Sequence, residues 1–208
     1  MQPMEKNVEK QLVVRTFEPD MNALKQTAKQ RVEGSAEFAR ELNKHGRMLD
    51  GFALCSDYCF NINPFFTPDQ FAEFIAPYLK NIIDIYREMG FYTIKHTDGN
   101  IMPILKQIVD CRPDALHSLD PQGGVDMKKV REIAGENIAL IGNVNCGLLQ
   151  TGTDEQCDAD VMRSLNEGMQ AGGGYIFSTS NCVYTGLALE RYERMWRIWK
   201  EHGCYDGR

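Results

Sequence analysis

Short apolar runs alternate with segments of helical periodicity along this 208-residue chain, and the alternation limits the fold more than any other feature. Strands that alternate with helices pair in parallel through right-handed crossovers. The sequence therefore predicts an α/β fold. The apolar runs that end in polar residues predict five strands, at 51–57, 91–97, 115–120, 138–144 and 174–179.

The segments between these runs carry apolar residues at helical spacing and have recognisable ends. Thr67 is a typical N-cap and is followed by Pro68, and Gly90 ends the helix that they begin. The run 12–17 is a candidate for a further strand. The other predicted helices cover about 21–44, 101–109, 126–134, 154–170 and 188–202.

Two architectures place helices around a parallel sheet, namely an open doubly wound sheet and a (β/α)8 barrel. No GxGxxG motif follows an early strand, so a dinucleotide-binding fold has no support. A barrel requires eight strand–helix units, whereas this chain supplies five or six. We expect one domain over 1–208 that forms the C-terminal part of a TIM-type barrel, with the N-terminal units missing.

Composition argues against several classes of protein. The net charge is −6 and no basic stripe is present, so we expect no nucleic-acid partner. No apolar stretch reaches the roughly 18–20 residues of a membrane span, and the N-terminus is too polar for a secretory signal. The seven cysteines form no CxxC pair, which argues against a disulfide framework or zinc ribbon. We expect free thiols and a cytoplasmic protein.

Polar side chains follow every predicted strand. The carboxyl ends of parallel strands meet at one edge of the sheet, where α/β proteins bind ligands. Strand ends also need residues that form turns or cap helices, so some of these polar residues could have that structural role instead of binding a ligand. The candidate site residues are Asp57, His96, Asp98, Asn100, His117, Asp120, Asn143, Asn145, Ser180, Asn181 and Cys182.

The segment 95–100, KHTDGN, carries the most specific pattern. Residues two apart in a strand face the same side, so His96 and Asp98 could present an imidazole and a carboxylate to one point. That pair suits a metal ion, a general base or a hydrogen-bonded substrate. The alternative is that Asp98 caps a helix that begins near Ile101. Cys182 could complete a His–Asp–Cys metal set, or be a buried filler.

The ordered series of motifs resembles the uroporphyrinogen decarboxylase superfamily from about Asp20 to the C-terminus. The resemblance implies a (β/α)8 barrel with one of two activities. One is cofactor-free decarboxylation of a tetrapyrrole, and the other is methyl transfer with a corrinoid protein, using zinc held by a His-x-Cys pair and a later cysteine. The motifs are FFTPDQF at 65–71, IKHTDGNIMPIL at 94–105, ALHSLDPQGGVDM at 115–127, IALIGNVNCGLL at 138–149 and GGGYIFSTSN at 172–181.

The resemblance places His96 and Cys182 at the histidine and later-cysteine positions, with Asp98 in place of the middle cysteine. It implies that these three residues hold zinc and that Asp57, His96 and Asp98 are catalytic. The other strand-end residues would line a pocket for a small molecule. The series Ser180-Asn181-Cys182 stands where decarboxylases have Gly-His-Gly, which favours a corrinoid-linked methyltransferase.

Two alternatives accompany this interpretation. One is a decarboxylase-like lyase that acts on a tetrapyrrole and needs no cofactor. The other is a non-catalytic partial barrel, which would pair with itself as a homo-oligomer or with a polypeptide that supplies the complementing half. The short chain motivates the second alternative, because five or six strands leave sheet edges without a partner.

Overall fold

The structure, a computed structural model, describes residues 20–46, 48–171 and 173–205. Within these ranges five strands form one sheet in sequence order, and every neighbouring pair is parallel. The predicted α/β fold is confirmed, and the open sheet corresponds to part of a TIM-type barrel. The candidate strand at 12–17 lies outside the described residues. The strands are β1 (Gly51–Cys55), β2 (Tyr92–Thr97), β3 (Ala115–Ser118), β4 (Ala139–Val144) and β5 (Tyr175–Thr179).

Helices precede the sheet, connect its strands and follow it. A short 3-10 helix, Pro121–Gly123, comes directly after β3. None of the helices in the described ranges is both long and apolar enough to cross a membrane. The α-helices of these ranges are α1 (Met21–Lys44), α2 (Pro68–Phe74), α3 (Ala76–Glu88), α4 (Leu105–Asp110), α5 (Met127–Ala134), α6 (Cys146–Thr151), α7 (Asp154–Gly168) and α8 (Leu189–His202).

The helix predicted to run from Thr67 to Gly90 is divided into α2 and α3 at Ile75. Thr67 caps α2 as expected, in a reciprocal capping box with Gln70. Pro77 lies in the first turn of α3. A proline has no N–H to donate to the preceding turn, and its ring crowds that turn's carbonyl. One continuous helix was therefore the wrong prediction, and the apolar spacing alone did not reveal the break.

One further helix boundary differs from the predictions, and one helix was not predicted. The helix expected from residue 101 begins at Leu105 instead. The segment after β4 forms the short helix α6, which was not predicted from the sequence, and the side chain of Asn145 caps it. Six residues are too few to show a helical apolar period, so only the capping residue could have indicated this helix.

Buried apolar residues from the helices cover one face of the sheet. Leu116 and Leu140 are in register on neighbouring strands, and both belong to the core cluster that α4 and α5 complete. The opposite face of β2 carries Ile94 and His96. The parallel register aligns His96 with His117 of β3. The helices bury one face of the sheet, and the register of the parallel strands aligns residues on the other face. Together these two features determine which polar residues meet at the strand ends.

Buried thiols make the stability of this fold sensitive to alkaline pH. Burial raises the pKa of Cys59 and of Cys111 to about 11, from an ordinary value of 9.0. A raised pKa means that the folded state favours the neutral thiol. This stabilisation is complete below pH 9 and is lost as the pH rises through the pKa values of the folded protein.

We expect the free energy of unfolding to fall between pH 9 and pH 11 by roughly 2 kcal/mol for each thiol. Urea unfolding at a series of pH values would measure the fall. The Cys59→Ala/Cys111→Ala double variant provides the control, because other titrating groups contribute equally to both proteins. Equal pH dependence in the two proteins would contradict the assignment to these thiols.

Candidate functional site

Three predicted residues meet at the carboxyl ends of β1 and β2. One ligand atom from each of Asp57, His96 and Asp98 lies within 4.8 Å of the other two. The His96 Nε2 atom is 3.8 Å from Asp57 Oδ1 and 3.9 Å from Asp98 Oδ1. We refer to these three residues as the acid–imidazole cluster. Half of the Asp57 side chain is exposed (52%), so one side of the cluster is open to solvent.

The neighbouring strand ends hold the Asp98 carboxylate in place. Its Oδ1 atom accepts a hydrogen bond from the Ser118 hydroxyl, and its Oδ2 atom accepts one from Asn181 Nδ2 at 2.8 Å. The backbone N–H of Asp98 donates to Asp57 Oδ1 at 3.1 Å. The helix α4 has no side-chain cap, so the alternative role of Asp98 as a helix cap is not what the structure shows.

A second histidine sets the orientation of His96. The Nδ1 atoms of His96 and His117 are 2.8 Å apart, so one must donate and the other accept. Burial, and then the neighbouring His96, lower the pKa of His117. In either tautomer, this contact occupies the Nδ1 atom of His96. The Nε2 atom of His96 is then the one that faces the two carboxylates.

The acid–imidazole cluster presents two carboxylates and one imidazole nitrogen to a common point. Such a group favours a positive charge at that point, and a divalent cation bound by His96 Nε2 and the two carboxylates would supply it. Imidazole nitrogen and carboxylate oxygen are both zinc ligands, and the absence of a thiolate makes this donor set comparatively hard. The residues therefore fit a divalent cation, and without one they fit an imidazole–carboxylate acid–base pair.

The thiol of Cys182 is not part of this cluster. The residue is exposed, and its backbone N–H donates to Asn181 Oδ1 at 2.7 Å. Among the described residues the structure groups Asp57, rather than Cys182, with His96 and Asp98. This grouping differs from the ligand set expected from the resemblance, and the role of Cys182 as a ligand stays a prediction. Residue spacing could not show this grouping, since Asp57 and Asp98 follow different strands.

Two more predicted residues lie directly behind the cluster. Asp120 is buried, and its carboxylate accepts a hydrogen bond from the backbone N–H of Gln122 at 3.0 Å. Burial raises the pKa of the Asp120 carboxyl, and the negative charge of Asp98 raises it further. Ser180 is fully buried, and its hydroxyl has no hydrogen-bond partner among the described residues. Asp120 thus belongs to the electrostatic environment of Asp98.

The other three predicted amides have structural partners. Asn143 is fully buried and donates to the carbonyl of Leu119 at 2.9 Å. The side chain of Asn145 caps α6. Asn100 Nδ2 donates to the carbonyl of Ile62 at 2.9 Å, which attaches the loop after β1 to the end of β2. The expectation that these three residues bind substrate stays a prediction.

Lys95 was not singled out from the sequence, and it is completely buried. Its Nζ atom donates to the carbonyls of Leu54 at 3.0 Å and Ser56 at 2.9 Å, and also to that of His96. Burial lowers the pKa of Lys95 to about 8. A lysine inside an apolar strand was the available signal, because buried lysines are rare unless their charge is compensated.

Comparison with known proteins gives results that agree with this fold. The model of the uroporphyrinogen decarboxylase (URO-D) family matches residues 21–202. A solved structure described as a "methyltransferase from Methanosarcina mazei" superposes with a TM-score of 0.70 at 22% identity, covering 89% of this chain and 51% of that one. A second, described as an uncharacterized protein, gives a TM-score of 0.46 at 16% identity and covers 82% of this chain and 43% of that one.

A search of curated protein sequences gives no significant match. The chain spans about half the length of the Methanosarcina methyltransferase, and at this identity the likeness shows the fold alone. The family match covers nearly all of the described residues and includes every member of the acid–imidazole cluster. The resemblance inferred from the strand-end motifs is confirmed, and the chain belongs to the uroporphyrinogen decarboxylase family.

Proposed function

We propose that the protein is an enzyme that moves a methyl group between a corrinoid, carried by a partner protein, and a small molecule. The acid–imidazole cluster is the reactive centre. The observation that carries the proposal is the convergence of Asp57, His96 and Asp98 within 4.8 Å at the carboxyl ends of the strands. The structural neighbour from Methanosarcina mazei is a methyltransferase, which favours methyl transfer among the activities of this family.

The proposal gives each residue of the cluster a separate role. A methyl group moves as a cation equivalent, so the accepting atom must offer a lone pair and lose any proton that it carries. The exposed Asp57 carboxylate would take that proton when His96 Nε2 binds a cation, and His96 Nε2 would take it in the absence of a cation. Ser118 and Asn181 fix the Asp98 carboxylate, whose Oδ1 atom lies 3.9 Å from His96 Nε2. A divalent cation held by the three residues would supply Lewis acidity to the substrate oxygen.

The ligand chemistry also indicates the class of substrate. A cluster of imidazole and carboxylates without a thiolate is a hard site, and hard sites prefer oxygen to sulfur. We therefore propose that the small molecule reacts through oxygen, as a hydroxyl acceptor or a methoxyl donor. Thiols should be poor substrates by comparison.

An anaerobic assay with methylcobalamin tests the activity. The purified protein, supplied with zinc, is mixed with methylcobalamin and a set of hydroxyl compounds, and a matched set of thiols is run in parallel. We expect the methylcobalamin absorbance to decrease with a hydroxyl compound and to persist with the thiols. Absence of demethylation with every acceptor would contradict the proposal.

A cofactor-free lyase is the second candidate, and one observation favours it. The Asp98 carboxylate is satisfied by Ser118 and Asn181, and Asp57 accepts from the Asp98 backbone, so the cluster has internal partners. An arrangement of this kind holds together without a cation. Release of carbon dioxide from a uroporphyrinogen by chelator-treated protein would favour the lyase over the methyltransferase.

A further inference from the structure

One buried ammonium group connects the two strand ends that carry the acid–imidazole cluster. The carbonyls of Leu54 and Ser56 lie on either side of Cys55, and both accept from Lys95 Nζ. Ser56 is directly followed by Asp57 in the chain. The third acceptor is the carbonyl of His96. Lys95 therefore contacts the backbone immediately beside one cluster residue and the backbone of another.

The side chain of Lys95 lies on the helix side of the sheet, opposite to the cluster. Thr93, Lys95 and Thr97 are the buried residues of β2 and alternate with Ile94 and His96. The Tyr58 ring covers the ammonium at 4.2 Å from the ring centroid. This enclosure keeps water away from the ammonium, so the carbonyls must satisfy it, and a charged donor makes stronger hydrogen bonds than a neutral one.

We propose that Lys95 is a positioning residue that fixes the Asp57 side of the cluster relative to the His96 side. The inference rests on the proposed function, because it takes the cluster as the reactive centre. Lys95 touches no substrate and acts only through the backbone of β1 and β2. The hydrogen bond from the Asp98 N–H to Asp57 Oδ1 spans the same gap between the strand ends and therefore reports on their separation.

The chain contains a matched control for this role. Arg131 is a half-buried cation that likewise donates to three backbone carbonyls, those of Gly135, Ile138 and Gly174. These carbonyls precede β4 and β5, so Arg131 lies at the other end of the sheet from the cluster. Arg131→Met should destabilise the fold for the same physical reason as Lys95→Met, without moving the cluster.

The test measures two properties of wild type, Lys95→Met and Arg131→Met. One is the dissociation constant for zinc, and the other is the hydrogen-exchange rate of the Asp98 amide relative to that of the Ile108 amide in α4. We expect Lys95→Met to weaken zinc binding by about 10- to 100-fold and to accelerate exchange at Asp98 selectively. Arg131→Met should lower the melting temperature but leave both properties unchanged. If Lys95→Met lacks a cooperative melt, Lys95→Gln replaces it, with the same direction expected.

Unchanged zinc binding and exchange in the Lys95 variant, or equal changes in both variants, would overturn the proposal. Failure of the proposed cation site has a separate signature, since the wild-type protein would then bind no zinc. In that case the exchange ratio at Asp98 alone decides the role of Lys95.

Discussion

His96→Ala is expected to lower kcat/KM for methyl transfer by about 10³-fold, because loss of the cation removes several kcal/mol of Lewis-acid stabilisation of the transition state. The same substitution should abolish zinc binding, because His96 Nε2 is the only nitrogen ligand in the acid–imidazole cluster. Anaerobic methylcobalamin kinetics and metal analysis of the purified variant would measure the two losses together.

His45→Ala is the control for His96→Ala. His45 follows α1, where its exposed imidazole lies 3.6 Å from Glu41, well separated in the chain from the strand ends. Its removal should leave zinc content and kcat/KM at wild-type values. Substantial methyl transfer by a folded His96→Ala protein would exclude the imidazole from the reaction and remove the basis of the proposed mechanism.

Asp98→Asn is expected to have the second-largest effect. Asparagine keeps the shape of the side chain, but its neutral amide binds divalent cations less well than a carboxylate does. We expect zinc affinity to fall about 100-fold or more and kcat/KM to fall with it. Cys182→Ser should change neither quantity, since the thiol lies outside the cluster. Zinc titration and steady-state kinetics on both variants would measure the difference.

The two variants distinguish between two ligand sets. The structure groups Asp57, His96 and Asp98, whereas the resemblance implies His96, Asp98 and Cys182. Retention of zinc by Asp98→Asn together with its loss from Cys182→Ser would show that Cys182 is a ligand and that the structural grouping is wrong. Loss of zinc from both variants would require the loop after β5 to bring the thiol to the metal.

The sequence predicted the part of the site that depends on local spacing. His96 and Asp98 are two residues apart along one strand and its end, and a period of two places them on the same side without any knowledge of the sheet. The third member, Asp57, follows another strand, and its approach depends on the parallel register of β1 and β2. A single sequence contains no direct measure of that register, so Asp57 was predicted as a catalytic residue but not as a member of the metal-ligand set.

The remaining differences have similar physical causes. Apolar spacing continues through α2 and α3, so only Pro77 indicated the division at Ile75. Polar residues at strand ends also serve as caps, and Asn145 is one of these. Lys95 was overlooked because a charged residue in a strand is ordinarily interpreted as solvent-exposed, whereas here three carbonyls and an aromatic ring enclose the ammonium.

The central claim is that Asp57, His96 and Asp98 hold the catalytic cation through nitrogen and oxygen atoms alone. X-ray absorption at the zinc edge of the zinc-loaded protein tests it most directly. We predict nitrogen and oxygen ligands at about 2.0–2.2 Å, with one imidazole among them. Sulfur at about 2.3 Å would contradict the claim and identify a cysteine as a ligand.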